Sequence, residues 1–233
     1  MKALIFDVFG TVVDWRSGVA TVAKDVFEER GVDVDPYDFA MAWRAEYQPA
    51  MERIRAGNRG YVALDVLHRE NLDKVLADFG LEDHFDEAAR AGFNRAWEKL
   101  PPWPDAVAGL TRLKARYAIA PCSNGSIALM TWLAKFGGLP WDAILGAQIA
   151  QNYKPERVVY TASAAALGLD PGEVMMVAAH NGDLEAAREA GLKTAFIPRP
   201  AEYGPGQTTD LEATSDWDAV ADDLEDLAAR LGG

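Results

Sequence analysis

At 233 residues the chain is long enough for one sizeable domain or a core with a smaller insertion, and its 49% hydrophobic content is that of a globular protein, not a disordered one. A formal net charge of -13 argues against a nucleic-acid or anionic-membrane partner, both of which need an extended basic patch, so any anionic substrate must meet local cations. The single cysteine, Cys122, rules out an internal disulfide framework and suits a reducing compartment, and the opening "MKALIFDVFG" reaches Asp7 too soon for a signal peptide or membrane span. A cytoplasmic protein is the expectation.

The first predicted element is a buried strand over residues 3–8, an apolar run that ends on Asp7 and is followed by Gly10 and Thr11, residue types suited to a tight turn. From about residue 17 to 100 the pattern is helical with no convincing strand. Within it "PYDFAMAWRAEYQPAMERIRAG" puts Phe39, Trp43, Tyr47, Met51 and Ile54 on one stripe, with Pro49 expected to kink or interrupt the helix. The stiff "LPPWPD" at 100–105 leads to further predicted strands at 117–122, 143–145, 174–178 and 194–197. Between them lie helical patterns, "SIALMTWLAKFG", "ERVVYTASAAALG" and "DLEAAREAG", the last two followed by glycine where a helix should stop. The acidic tail "DWDAVADDLEDLAARLGG" reads as a terminal helix with a solvated face. Strand and helix alternate, which implies right-handed crossovers and a parallel sheet covered on both faces. The expected fold is therefore α/β: a Rossmann-like parallel-sheet core of residues 1–14 and 101–233, with a helical cap inserted at 15–100.

Ligands of open α/β sheets sit outside the carboxyl ends of the strands, and four separated segments converge there. They carry Asp7, then Ser123 with Asn124, then Lys154 in "NYKPERVVY", and finally residues 178–183. Asp7 alone would pass for a turn cap; in this company it reads as a functional carboxylate.

In "DVFGT", "CSNGS", "YKPE" and "AAHNGD", in that order, the sequence resembles the haloacid dehalogenase superfamily over nearly its whole length. The resemblance implies that Asp7 is a covalent nucleophile, which splits one difficult displacement into two easier ones. Most of that superfamily consists of magnesium-dependent phosphatases, which carry a leaving-group acid two residues after the nucleophile and a metal-binding acid in the last loop. Here Phe9 and Ala179 stand at those places, and only Asp183 remains. A site short of a carboxylate suits magnesium poorly, whereas a departing halide needs neither proton nor metal. The pattern thus resembles the L-specific 2-haloacid dehalogenase branch, with no cofactor and no metal. Its substrate would be a short (S)-2-haloacid and its product the (R)-2-hydroxy acid, formed through an aspartyl ester.

Carried over residue by residue, the resemblance makes Ser123 a ligand of the substrate carboxylate and makes Asn124 and Arg44 contacts of the halide. Thr11 and Phe9 would complete the substrate side of the pocket. Lys154 would keep Asp7 ionised, and Tyr160 would steady the site or merely pack at its helical spacing. Arg44 has the alternative of a solvent-facing helix residue. The branch often holds its hydrolytic water with "SSN", but this chain has Ala178, Ala179 and His180 followed by Asn181. His180 or Asn181, together with Asp183, is expected to position that water, unless His180 only caps the next helix. His68 and His84 read as structural or exposed. A homodimer is expected from the relatives; a metal-dependent phosphatase or phosphonate-processing enzyme and a non-catalytic small-anion-binding protein are the alternatives.

Overall fold

The computed structural model describes residues 1–57 and 59–232. Strand β1 (Ala3–Phe6) is buried along its whole length, which is why its sequence is a continuous apolar run with no alternation. It lies at the centre of a six-stranded parallel sheet with β2 (Ala118–Ser123), β3 (Leu145–Gly146), β4 (Val174–Ala178), β5 (Lys193–Phe196) and β6 (Ala219–Val220). The order is β3-β2-β1-β4-β5-β6, and Ile5 is in register with Ala120 on one side and Met176 on the other. The chain builds outward from β1 in one direction through β2 and β3, then crosses to β4 and builds the other way. That reversal opens a crevice at the carboxyl end of β1 and β4.

Among the described residues six strands form where five are expected. The sixth is a two-residue edge strand inside the acidic tail, too short to carry a period, and backbone pairing with β5 places it: Ala195 is opposite Ala219, and Ala221 N–H donates to the Phe196 carbonyl at 3.1 Å. The tail helix is correspondingly shorter, Leu224–Arg230, and is capped by the Asp223 carboxylate. Its Leu224, Leu227 and Ala228 are buried against the helix Ala106–Lys114. Gly109 permits that contact, since a Cβ there would lie 2.6 Å from the Leu224 Cβ.

Between β1 and the helix Ala106–Lys114 the secondary structure is helical apart from isolated bridges, with the helices Trp15–Arg30, Pro36–Ala45, Tyr47–Ala56, Leu64–Asp78 and Glu87–Asn94. The predicted aromatic stripe is buried at all five positions, but it is carried by two helices that meet at Glu46. Pro49 explains the break: it has no N–H to offer the carbonyl four residues back, that of Ala45, and its ring would clash there. Polar joints tie this insertion to the sheet. Ser126, the N-cap of the helix Ile127–Gly137, also donates to the Asp65 carboxylate at 2.7 Å, and the Tyr153 hydroxyl donates to the Val62 carbonyl at 2.5 Å. Among the described residues no helix is long and apolar enough to cross a membrane.

Candidate active site

β1 delivers Asp7 to the crevice, where its N–H still donates to the Val177 carbonyl at 3.0 Å, so the backbone is held by the sheet while the side chain leaves it. The chain then turns tightly, Val12 and Val13 N–H both donating to the Val8 carbonyl. Gly10 has φ of 92° in this turn, a region favourable to glycine. The turn brings Thr11 back under the nucleophile: its hydroxyl donates to Asp7 Oδ2 at 2.7 Å and accepts from Ala179 N–H at 2.9 Å. Thr11 is fully buried and does not line the cleft, so the structure places it behind Asp7 and not on the substrate side where it is expected.

Lys154 lies on the other side of Asp7. Its Nζ donates to Asp7 Oδ1 at 2.8 Å and to Asp183 Oδ2, and the other oxygen of Asp183 accepts from the Tyr160 hydroxyl at 2.5 Å. Tyr160 is thus fully buried against Asp183 and, like Thr11, lies outside the cleft lining. Burial opposes Lys154's charge, but Asp183 and Asp7 outweigh it and keep the ammonium protonated. Burial likewise favours a proton on Asp7, and Lys154 and His180 override it, holding the carboxyl well below the usual range. A buried aspartate that stays an anion is what the resemblance to a nucleophile requires.

Above Asp7 is a cleft of about 390 Å³ lined by Asp7, Phe9, Arg44, Tyr47, Gln48, Asn124, Lys154, His180, Asp183 and Tyr203 among others. Arg44 comes from the insertion: its guanidinium lies 4.0 Å over the Tyr47 ring and 5.3 Å from the Trp15 ring, and its Nη1 is buried with no hydrogen-bond partner. It is therefore not the solvent-facing residue of the alternative reading. Phe9 forms an apolar wall, packed edge-on against Trp97 with centroids 5.7 Å apart. Asn124 spends its amide oxygen on Lys154 N–H at 2.7 Å, which leaves the NH₂ as the group it can offer a ligand. Ser123 is placed differently from the expectation: it is buried, its Oγ accepts from Gly125 N–H at 3.1 Å, and it does not line the cleft.

The two candidates for water positioning separate. His180 lies between two carboxylates, Nδ1 at 3.2 Å from Asp7 Oδ2 and Nε2 at 2.9 Å from Glu202 Oε2. Burial works against its charge, yet the hydrogen bonds to Asp7 and Glu202 push it up to about 10. Asn181 faces elsewhere. Its NH₂ donates to Asp210 and the Glu212 carbonyl, and its oxygen accepts from Thr214 N–H and the Trp217 indole, so the amide is saturated by the segment before β6. The expectation that Asn181 holds a water is corrected on that geometry. His68 is buried, stacked on Trp97 at 4.2 Å, and kept neutral by burial and by Arg44.

Glu202 and Tyr203 were not anticipated. They follow β5, at the same sheet edge as the other segments, and that topology was the available signal. The donor set does not fit a divalent cation: both Asp183 oxygens are engaged by Lys154 and Tyr160, and Phe9 and Ala179 bring no oxygen side chain.

An aspartate at the end of the central strand, paired with a lysine and a second aspartate under an inserted helical layer, defines a class of α/β hydrolases. Residues 1–191 match the family model of the haloacid dehalogenase-like hydrolases, and the chain belongs to that family. It is similar to (S)-2-haloacid dehalogenase 4A of Burkholderia cepacia, at 30% identity over 87% of each chain. Among solved structures it resembles a defluorinating L-2-haloacid dehalogenase at 52% identity, with a TM-score of 0.98 over 100% of this chain and 96% of the other. The L-2-haloacid dehalogenase from Xanthobacter autotrophicus with chloropropionic acid covalently bound is similar at 26% identity and a TM-score of 0.81, covering 100% and 99%.

Proposed function

We propose that this protein is an (S)-2-haloacid dehalogenase that yields (R)-2-hydroxy acids. The observation that carries the reading is the buried, ionised Asp7 facing a cleft that contains Arg44 and offers Phe9 where a leaving-group acid would stand. Asp7 attacks C2 of the haloacid opposite the halogen; the carbon–halogen bond breaks as the ester bond forms, and halide departs as an anion toward Arg44 and the Asn124 amide. Water then attacks the ester carbonyl of Asp7, the acyl–oxygen bond breaks, and the hydroxy acid leaves with inversion at C2. Lys154, Asp183, Thr11 and Tyr160 hold Asp7 in its ionised, oriented state, and His180 handles the water. Ser123 acts through the loop it braces. Residues 15–100 act as the cap that closes the cleft from water.

The test is halide release from purified protein on (S)-2-chloropropionate, with fluoroacetate included because of the similarity to a defluorinating relative. Single turnover in ¹⁸O-water should place label in the peptide containing Asp7. Hydrolysis of phosphate monoesters without halide release would favour the phosphatase, and binding of haloacids without turnover would favour the anion-binding protein. The proposed setting is the cytoplasm, in keeping with the lone, buried Cys122. The proposed assembly is a homodimer, for which Trp132 and Phe136, exposed on the helix Ile127–Gly137, offer an apolar face; sedimentation checks it.

A further inference from the structure

Glu202 is 1% exposed, yet it is neither paired with a lysine or arginine nor used by the chemistry described so far. Its Oε1 accepts from the Trp15 indole at 2.9 Å and its Oε2 meets His180 Nε2 at 2.9 Å, while the opposite nitrogen of that ring faces Asp7. The surroundings are built to this carboxylate. A Cβ on Gly10 would fall 2.1 Å from Glu202 Oε1, so the nucleophile's own turn must be glycine for Glu202 to fit. Arg199, three residues earlier, donates to the Thr11 carbonyl at 2.9 Å and forms a bidentate pair with Asp105 at 2.7 Å, which ties the Glu202 segment to the same turn. A carboxylate, an imidazole and the nucleophile thus stand in line.

Resting on the dehalogenase reading above, we propose that Glu202 is a positioning residue for the second half-reaction: it holds His180 toward Asp7 and supports it as the base that deprotonates the hydrolytic water once Asp7 has become an ester. Before the displacement His180 carries a proton shared between two anions. Esterification removes one of them, because an alkylated Asp7 is neutral, and the imidazolium releases its proton to solvent. The neutral ring then takes a proton from water as the hydroxide adds to the ester carbonyl. Collapse of the tetrahedral species expels the alkoxide, which takes the proton of the new carboxylic acid and leaves as the hydroxy acid. Asp7 is again a carboxylate and His180 again protonated, so each cycle yields one halide and one proton.

The high resting basicity of His180, about 10, agrees with this cycle, since it depends on Asp7 and Glu202 together and the Asp7 contribution disappears on esterification. The other charged or titratable groups around the cleft are Lys154, Asp183, Arg44, Tyr47, Tyr203 and Asp210. None of these loses its charge in the displacement.

The experiment follows halide by stopped flow and the Asp7 adduct by quenched intact-mass analysis with (S)-2-chloropropionate, for wild type, Glu202→Gln and Glu202→Asp, each across pH. Glu202→Gln should give a burst of about one halide per site, an accumulating adduct, and steady turnover slowed on the order of 10²-fold, the low end for loss of general-base support. Its acid limb of kcat should move to lower pH, and Glu202→Asp should recover part of the rate. A folded Glu202→Gln with no burst, no adduct and an unmoved pH limb would overturn the proposal, whereas a wild type that releases no halide would sink the dehalogenase reading itself. If Glu202→Gln does not fold, imidazole NMR of Asp7→Asn decides, because the amide mimics the neutral ester: a fall of two or more pH units in the His180 midpoint supports the relay, and an unchanged midpoint refutes it.

Discussion

Three neighbours hold the Asp7 carboxylate: Lys154 on one oxygen, Thr11 and His180 on the other. Replacing the carboxylate by an amide keeps much of the shape and removes the nucleophile, so Asp7→Asn should abolish both turnover and adduct. Near-normal steady-state halide release from folded Asp7→Asn, with deamidation excluded by mass, would exclude Asp7 as the attacking group. Arg44 is the insertion's cationic contribution to the cleft lining, with an unpartnered buried nitrogen on a guanidinium stacked over Tyr47. Arg44→Lys should lose at least about tenfold in kcat/KM, since a lysine cannot reproduce the planar fork or the stacking, and a hydrogen bond to a charged group is worth about 1.5–3 kcal/mol. Wild-type kcat/KM in that variant would remove Arg44 from the halide or carboxylate contacts.

At the scale of elements, the turn after β1 and the segment before β6 are held by residues with separate jobs. Gly10→Ala would put a Cβ into Glu202 and force alanine to φ near 92°, so thermal denaturation should show a loss of at least about 1–2 kcal/mol, the left-handed backbone penalty alone. Asn181 staples 210–217 to the start of the helix Asn181–Glu189 through both ends of its amide. Asn181→Ala should cost about 1–3 kcal/mol of stability, because buried partners such as the Trp217 indole lose their acceptor, and should leave no ester adduct in rapid-quench mass analysis. Adduct accumulation in Asn181→Ala would restore that residue to the hydrolytic step.

For the whole molecule, the same charges make stability depend on pH, with opposite signs for the two groups. The His180 proton affinity is raised from 6.5 to about 10 on folding, so its stabilisation is complete below about 6.5 and is lost as pH rises toward 10. Asp7 is lowered from 3.8, so its contribution is present above that value and is lost as pH falls below it. The melting temperature should therefore decline above about pH 6.5, and His180→Asn should flatten that alkaline decline. A wild-type profile level from pH 6.5 to 10 would contradict the paired-imidazole geometry. Because Lys154 and Tyr160 engage the Asp183 oxygens and a halide can be displaced without a Lewis acid, halide release should also persist after exhaustive EDTA treatment, and rescue by added magnesium would count against the halide mechanism.

The amino-acid sequence alone was sufficient for the parallel α/β core, the helical insertion and the convergence of Asp7, Asn124, Lys154 and Asp183, because buried strands announce themselves as apolar runs and the carboxyl edge of a parallel sheet is a topological consequence of their order. The resemblance to the dehalogenase branch, and no periodicity, singled out Arg44, which the fold brings to the cleft. The sequence did not reveal β6, whose two residues are set by pairing with β5 and by no periodicity of their own. Nor did it separate His180 from Asn181, adjacent in the chain and pointing to different partners, or show that Thr11 and Tyr160 stand behind Asp7 and Asp183. Glu202 depended wholly on tertiary structure: it is 195 positions from Asp7 in the sequence and meets His180 only because β5 returns to the edge of the sheet where β1 ends. Local pattern records which face a residue takes; which distant side chain it meets there is decided by the register and crossovers of the folded chain.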